Sequence, residues 1–368
     1  MEEPKYADKT EKHEITCKNC GSRLLFAPGT DSLACEYCGA QNKIEIKKEK
    51  IEEIDFYDFI SKVSDSSPKQ EVTTVRCEAC GAETSFDENM VSQDCAFCGT
   101  PLIVKKGTTS NVIQPKSLLP FKVKNKEAIE MYKTWLKKLW FAPNKLKKYA
   151  RQKGKISGMY IPYWTYDAQT FTQYTGQRGE DYQETETYTN DEGESETRTV
   201  TKTRWYPASG HVSRFFDDML VVASKSLPEK YINKLEPWDL SNLLPFDEKF
   251  LSGFKTEKYQ IDIKDGYDKA KIKMEPIIRQ DIRNDIGGDH QQINTMSTSY
   301  DDVTFKHILL PLWISAYQFN NKIYRFMVNG RTGEVTGERP YSAWKIAFAI
   351  LLALIIIGTI IYFVNKNQ

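Results

Sequence analysis

The sequence predicts an α+β protein: an aromatic-rich, mainly antiparallel domain, preceded by two small cysteine-bearing modules and followed by one apolar C-terminal helix. Three observations carry that prediction. All eight cysteines fall before residue 100, in a spacing that occurs twice. From Pro115 the composition changes, and six of the seven tryptophans lie between Trp135 and Trp313, among strand-like apolar runs. Ile346 to Val364 is a run of 19 residues without a charge or a proline.

The cysteines come first. Cys17-Lys-Asn-Cys20-Gly21 is followed by Cys35-Glu-Tyr-Cys38-Gly39, and Cys77-Glu-Ala-Cys80-Gly81 by Cys95-Ala-Phe-Cys98-Gly99. Each cysteine of the second set lies 60 positions after its counterpart, as do both glycines and the pair Phe26 and Phe86. This is an internal repeat of one module. A two-residue gap lets both thiolates of a knuckle reach one ion at about 2.3 Å, and the glycine permits the tight turn behind them. Four thiolates complete a tetrahedral shell with no open position, which describes a structural site rather than a catalytic one.

The motif resembles the zinc ribbon. Two structural Zn2+ ions are therefore expected, one on Cys17, Cys20, Cys35 and Cys38, the other on Cys77, Cys80, Cys95 and Cys98. Rubredoxin-like iron and paired disulfides are the alternatives; a reducing compartment favours ligation over disulfides. Modules of this size are too small to fold on an apolar core alone, so the metal is expected to supply folding energy.

The expected organisation is a first ribbon at 14–45, an amphipathic helix and linker at 46–72, a second ribbon at 73–105, the α+β domain at 115–338 and a transmembrane helix at 344–364. In the linker, Ile51, Ile54, either Tyr57 or Phe56, and Ile60 recur at helical spacing. They predict either a helix that docks a partner or one that packs on a ribbon. The domain opens with a strand at Leu118-Leu-Pro-Phe121 and a helix from Lys126 to Trp140, then a short helix from Asn144 to Arg151. Lys137, Lys138, Lys145, Lys147 and Lys148 form its most basic stretch, suited to a solvated face, an anionic membrane or nucleic acid.

Gly158 to Asp167 and His307 to Tyr317 share an apolar-apolar-Pro-x-Trp pattern and predict two related β-units. A proline within each run predicts edge positions or bulges. Twelve of the 21 residues from Gln183 to Thr203 are Glu or Thr, around Asn190-Asp-Glu-Gly193, which predicts an exposed hairpin at 183–203 or a disordered stretch. Leu220 to Ser224 and Tyr259 to Ile263 read as strands, Asp265 to Ile286 as a helix kinked or split by Pro276, and Tyr324 to Val335 as a hairpin turning at Asn329 to Gly333.

The C-terminal run is about 28 Å long as a helix, close to the hydrocarbon thickness of a bilayer. Trp344 and Tyr362 stand at its ends, and Lys345 and Lys366 bracket it. The start of the chain shows no apolar stretch, so no signal peptide is expected and the bulk of the chain is expected on the cytoplasmic side. The positive-inside count agrees weakly, with Arg339 and Lys345 before the run and Lys366 after it.

Chemistry finds little purchase. The histidines His13, His211, His290 and His307 make no metal-binding spacing, and neither a P-loop nor a nucleophile elbow occurs. No catalytic and no cofactor-binding residue is assigned. Asp281, Asp285, Asp289 and His290 offer a weak cation site at a helix end or merely an exposed acidic end. Net charge is near neutral, with 51 basic against 50 acidic residues, and the second ribbon is acidic, which favours protein contact over nucleic acid.

Tandem ribbons followed by Leu119-Pro-Phe121, Trp140-Phe-Ala-Pro143, Tyr160-Ile-Pro-Tyr-Trp-Thr-Tyr166, Ser252-Gly-Phe254, Asp285-Ile-Gly-Gly-Asp289, Thr304-Phe-Lys-His307, Val328-Asn-Gly-Arg-Thr-Gly-Glu-Val335 and an apolar tail resemble one bacterial family, of the YdjG type, along nearly the full chain. Members are often labelled primosomal or helicase-like, a label the missing P-loop contradicts here. The resemblance implies a membrane-bound adaptor working with phage-shock-protein-A-like and SPFH-domain partners in envelope stress. The alternative is a membrane-tethered nucleic-acid-binding regulator.

Overall fold

A computed structural model describes residues 15–46, 49–62, 69–79, 81–85, 92–98, 100–103, 108–144, 156–189, 193–319 and 322–366. The chain is α+β and mainly antiparallel. The first cysteine module is a three-stranded antiparallel sheet of β1 (Leu24–Phe26), β2 (Ser32–Cys35) and β3 (Gln41–Lys43). Then come β4 (Ile54–Asp55) and α1 (Phe56–Lys62). The second module has β5 (Lys69–Arg76) between β6 (Glu83–Ser85) and β9 (Thr108–Ile113), with β7 (Ser92–Asp94) paired to β8 (Pro101–Ile103).

The main sheet runs β12–β11–β15–β10–β13, built from β10 (Ser117–Leu118), β11 (Ser157–Thr189), β12 (Ser195–Val222), β13 (Leu244–Pro245) and β15 (His290–Phe319). Strand β14 (Lys255–Thr256) joins β11, β16 (Lys322–Asn329) joins β15, and β17 (Val335–Gly337) joins β16. The hairpin at Asn329 to Gly333 forms as expected, with Val328 opposite Val335. Among the described residues four α-helices follow α1: α2 (Asn125–Lys138), α3 (Glu229–Ile232), α4 (Ile263–Ile286) and α5 (Ala343–Lys366).

Side-chain alternation divides the core between the two faces of this sheet. On one face Tyr160 of β11 and Leu309 and Trp313 of β15 pack with α2 and the first module; farther along the same face, Trp164, Tyr166, Val303 and Phe305 pack with α1 and α4. On the other face Met159, Ile161 and Tyr163 join Ile308, Leu310, Leu312 and Ile314, and these pack with the second module. The cysteine modules thus sit on opposite faces of one sheet.

Several expectations change. The two proline-bearing runs are not edges. They are central neighbours, paired with each other: Tyr160 faces Pro311 and Pro162 faces Leu309. Each proline falls where the outer neighbour changes. Beside Pro162 the partner of β11 passes from β12, which ends at Val222 opposite Tyr163, to β14, where Thr256 meets Tyr160. Beside Pro311 the partner of β15 passes from β10, with Leu118 opposite Leu309, to β16, with Asn329 opposite Leu312. A missing N–H costs nothing at such a gap.

The linker helix is shorter than its periodicity suggests. Ile54 pairs as strand with Phe305, and Phe56 and Phe59 of α1 meet Tyr166, Tyr267 and Phe305 of the main domain rather than a ribbon. Tyr259 to Ile263 is not a strand: Gln260 and Ile261 both donate to the Ala223 carbonyl, and α4 starts at Ile263 under an Asp262 cap. Pro276 does not split α4, because it lies on the exposed face, where solvent reaches the carbonyl it releases. Ile263, Tyr267, Ala270, Met274, Ile278, Ile282 and Ile286 form the buried stripe. The Asn144–Arg151 helix lies, beyond Asn144, outside the described residues.

Strand β11 has a contour of about 100 Å at the usual rise per residue. Antiparallel pairing with β15 ends near Gly179 and His290, and β11 and β12 continue alone as the 183–203 hairpin, from Gln183 opposite Thr201 to Thr189 opposite Ser195. No apolar layer supports it. Cross-strand charge does: Lys202 reaches Glu184 and Glu186 at 2.8 and 2.7 Å, and Arg204 lies over the Tyr182 ring.

Candidate metal centres

The knuckle turn is the same wherever it is described. In the first, Cys17 N–H donates to the Ser22 carbonyl at 2.7 Å and Gly21 N–H to the Cys17 carbonyl at 2.8 Å. The second, third and fourth repeat the outer bond: Cys35 to Ala40 at 2.8 Å, Cys77 to Ala82 at 2.8 Å, Cys95 to Thr100 at 2.8 Å. Gly21, Gly39 and Gly81 sit at φ of 74°, 74° and 76°, a conformation costly for any side chain. The glycines at 21, 39 and 81 therefore follow from backbone geometry and not from the metal alone.

These turns bring the thiols together. In the first module all four sulfur atoms, of Cys17, Cys20, Cys35 and Cys38, lie within 4.8 Å of one another, with Cys17 to Cys38 and Cys20 to Cys35 at 3.5 Å. In the second, Cys77, Cys95 and Cys98 converge, with Cys77 to Cys98 at 3.5 Å; Cys80 and Gly99 lie outside the described residues. Thiolates on one tetrahedral ion at 2.3 Å stand about 3.8 Å apart, so the spacing fits. The Ser22 hydroxyl and its backbone N–H pull the Cys20 thiol down to about 6. Against the Ala40 backbone N–H, which favours its thiolate, the Cys17 and Cys20 thiols push Cys38 up to about 12. Crowded sulfurs resist collecting four negative charges, and a divalent cation removes that conflict. Cys17, Cys20, Cys35 and Cys38 would hold one ion and Cys77, Cys95 and Cys98 would supply three ligands to another. An all-sulfur shell leaves no coordination position for a substrate.

Both modules are docked on the main domain, with Cys17, Cys35, Cys77, Cys95 and Cys98 buried and Cys20 and Cys38 exposed. The Phe26 N–H donates to the Ser252 carbonyl at 3.0 Å, and Phe26 meets Phe250 edge-on with ring centroids 5.1 Å apart. In the second module Phe97 and Ala82 are fully buried, and Arg325 Nε donates to the Phe97 carbonyl at 2.7 Å.

The acidic helix end does not gather into a cation site. Asp281 is bidentate to Arg214 at 2.5 and 2.6 Å, Asp285 accepts from the Tyr174 hydroxyl, Asp289 accepts from the Asp181 N–H, and His290 pairs with Asp181. The four groups are spread over three residues of β11 and β12, Arg214, Tyr174 and Asp181.

Two buried polar groups went unread in the sequence. Asp167, Asp217 and Asp218 approach within 4.8 Å. The cation among them is a side chain: Lys306 Nζ lies 2.7 Å from Asp218 and 3.1 Å from Glu53. Burial raises Asp167, whose proton is shared toward Glu53, to about 7. The second group is Glu257, which burial pushes up to about 8; it accepts from Ser226, and its second oxygen has no partner among the described residues. Glu257 bridges backbone to Thr84 of β6, so it lies where the second module meets the sheet. Strand bulges and inter-module bridges leave no local pattern, which is why neither group was visible.

The C-terminal run forms α5, a helix long and apolar enough to cross a membrane, with its apolar stretch wholly unburied. Protein YdjG of Bacillus subtilis (strain 168) is 28% identical to this chain over 334 residues, covering 90% of this chain and 91% of that protein. The chain is similar to YdjG. The alignment supports the resemblance carried by the motifs above. No protein-family model and no solved structure matches the chain.

Proposed function

We propose that this protein is a non-enzymatic, single-pass membrane adaptor that presents a metal-stiffened α+β domain to protein partners at the cytoplasmic face. The observation that carries this reading is the pairing of an unburied apolar helix with two thiol clusters, four cysteines in the first module and three described ones in the second, of which Cys17, Cys35, Cys77, Cys95 and Cys98 lie in the folded core. Closed all-sulfur shells serve architecture, and the borderline-soft ion that suits them best is zinc, so the two ions are read as structural Zn2+. Thiols that must stay reduced to bind metal support the cytoplasmic side. Through the resemblance to YdjG-type proteins, phage-shock-protein-A-like and SPFH-domain proteins in envelope stress are the candidate partners.

The test is affinity capture of the full-length chain from membranes, against a control bearing only residues 339–368. Enrichment of a defined protein set on the full chain supports the adaptor. Equal recovery on both baits refutes it. Salt-dependent retention of DNA or RNA by the full chain would instead favour the membrane-tethered nucleic-acid regulator.

A further inference from the structure

We propose that the turn Trp140 to Asn144 is a second membrane contact, which seats aromatic and basic side chains in the headgroup layer of an anionic bilayer beside α5. The inference rests on α5 spanning the membrane.

The turn follows α2, and its side chains split in direction. Leu139 and Ala142 point inward and are 5% and 1% exposed, whereas Trp140 is 76% exposed and Phe141 37%. A tryptophan left this open is unusual for a water-facing turn, since its ring is large and apolar. The place of the turn gives the reason. Ser342 N–H donates to the Phe141 carbonyl at 2.8 Å. Lys345 Nζ, in the first turn of α5, donates to the Trp140 carbonyl at 3.1 Å, the Ala142 carbonyl at 2.9 Å and Asn144 Oδ1 at 2.8 Å. Three acceptors on one ammonium tie the turn to the level at which the apolar helix begins. Tyr341 and Trp344 are exposed at that same level. Four aromatic side chains, two from each segment, thus surround the point of membrane entry, where amphipathic rings concentrate.

Charge agrees. Lys137 and Lys138 close α2 next to the turn and are exposed, and cations beside a span are drawn to anionic headgroups. One spanning helix alone leaves a domain free to tilt and rotate. A second contact held to the first by Lys345 removes that freedom and gives the long β11–β12 arm a defined direction from the membrane.

The test places the photoreactive residue benzoylphenylalanine singly at Trp140, Trp344, Phe348 or Tyr37 in the full-length chain, reconstituted in vesicles of phosphatidylethanolamine and phosphatidylglycerol. Tyr37 is 84% exposed on the first cysteine module and serves as the water-facing reference. The expected result is lipid adducts at 140 at a yield within about threefold of that at 344, with yield at 37 at least tenfold lower. A second arm changes Lys137 and Lys138 to Glu, which is expected to cut the yield at 140 at least threefold in these vesicles and to leave 348 unchanged. Lipid adducts at 344 and 348 with none at 140, or adducts at 140 only to protein, overturn the second contact while leaving the span intact. Absence of lipid adducts at 348 overturns the span and this contact together.

Discussion

The Ser252 hydroxyl donates to the Leu24 carbonyl at 2.6 Å, joining the first cysteine module to a turn 228 residues away in sequence. Ser252 is buried, and the adjoining Phe26 amide bonds the Ser252 carbonyl, so the two segments are stitched in both directions. Ser252→Ala leaves the Leu24 carbonyl buried without that donor. Such an orphan costs about 1–3 kcal/mol. Equilibrium denaturation should show that loss, and metal titration should show weaker binding at the first centre, because binding and module docking share one free energy.

Metal removal should therefore reach beyond the modules. Cys17 and Cys35 belong to the same apolar cluster as Trp313 and Phe250, and Cys77, Cys95 and Cys98 to the cluster of Leu310 and Ile314. Chelation under reducing conditions is expected to lower the melting temperature of the whole chain and to change tryptophan emission, as Trp313 loses its packing. Native mass spectrometry should count two ions on the wild type and one on Cys35→Ser. A chelated chain with an unchanged melting temperature would show that the modules are independent appendages.

How much of this was legible depends on where each signal lives. The knuckles were readable because Cys17 to Cys38 and Cys77 to Cys98 lie close in sequence and backbone geometry fixes the glycine. The stripe of α4 was readable because helical periodicity is local. The central position of Pro162 and Pro311 was not, since it depends on which strands end beside them, a property of distant segments such as Val222 and Thr256. Lys306 was unread for a similar reason: its partners Glu53 and Asp218 arrive from β4's flank and from β12.

Glu257 gives a pH prediction. Burial raises its folded pKa to about 8, above its ordinary value of 4.5. A carboxyl raised on folding stabilises the fold fully below its unfolded pKa, and that contribution is lost as pH rises through the folded value. Glu257→Gln keeps the neutral shape. Melting temperatures of the two proteins should agree near pH 4, and the wild type should fall progressively below the variant from about pH 4.5 to about pH 8, with a constant gap above that. Parallel curves would place the Glu257 carboxyl in contact with solvent.

The hairpin gives a prediction of small effect. Its pairs bury no apolar layer, and its ion pairs are exposed, so each is worth about 1 kcal/mol or less. Replacing residues 183–201 by a two-residue turn should leave the melting temperature within about 3 °C of wild type. A larger fall would mean that the hairpin supports the rest of the arm.

Lys306 gives the largest expected effect of a single change outside the cysteines. Its ammonium lies buried against Asp218 and Glu53, and burial, which disfavours the charge, is outweighed by these carboxylates, so its pKa is raised. Lys306→Met keeps the stem and removes the cation. The carboxylates of Glu53 and Asp218 are then left without the cation between them. Removing one partner of a buried pair costs about 3–5 kcal/mol, and the partial exposure of Glu53 and Asp218 reduces this to roughly 2–3 kcal/mol. The sign with pH follows from Glu53, which Asp167, Thr304 and Lys306 hold down at about 2 against the effect of burial. A depressed carboxyl stabilises the fold above its unfolded pKa and loses that contribution as pH falls. The variant keeps the Asp167 and Thr304 hydrogen bonds and lacks only the share that Lys306 supplies, so the gap between wild type and Lys306→Met should be full at pH 7 and should narrow below about pH 4.5. Asp218→Asn added to Lys306→Met should recover part of the loss, because it removes one of the stranded charges. A double variant no more stable than Lys306→Met would show that Asp218 is solvated and that the lysine acts through Glu53 alone.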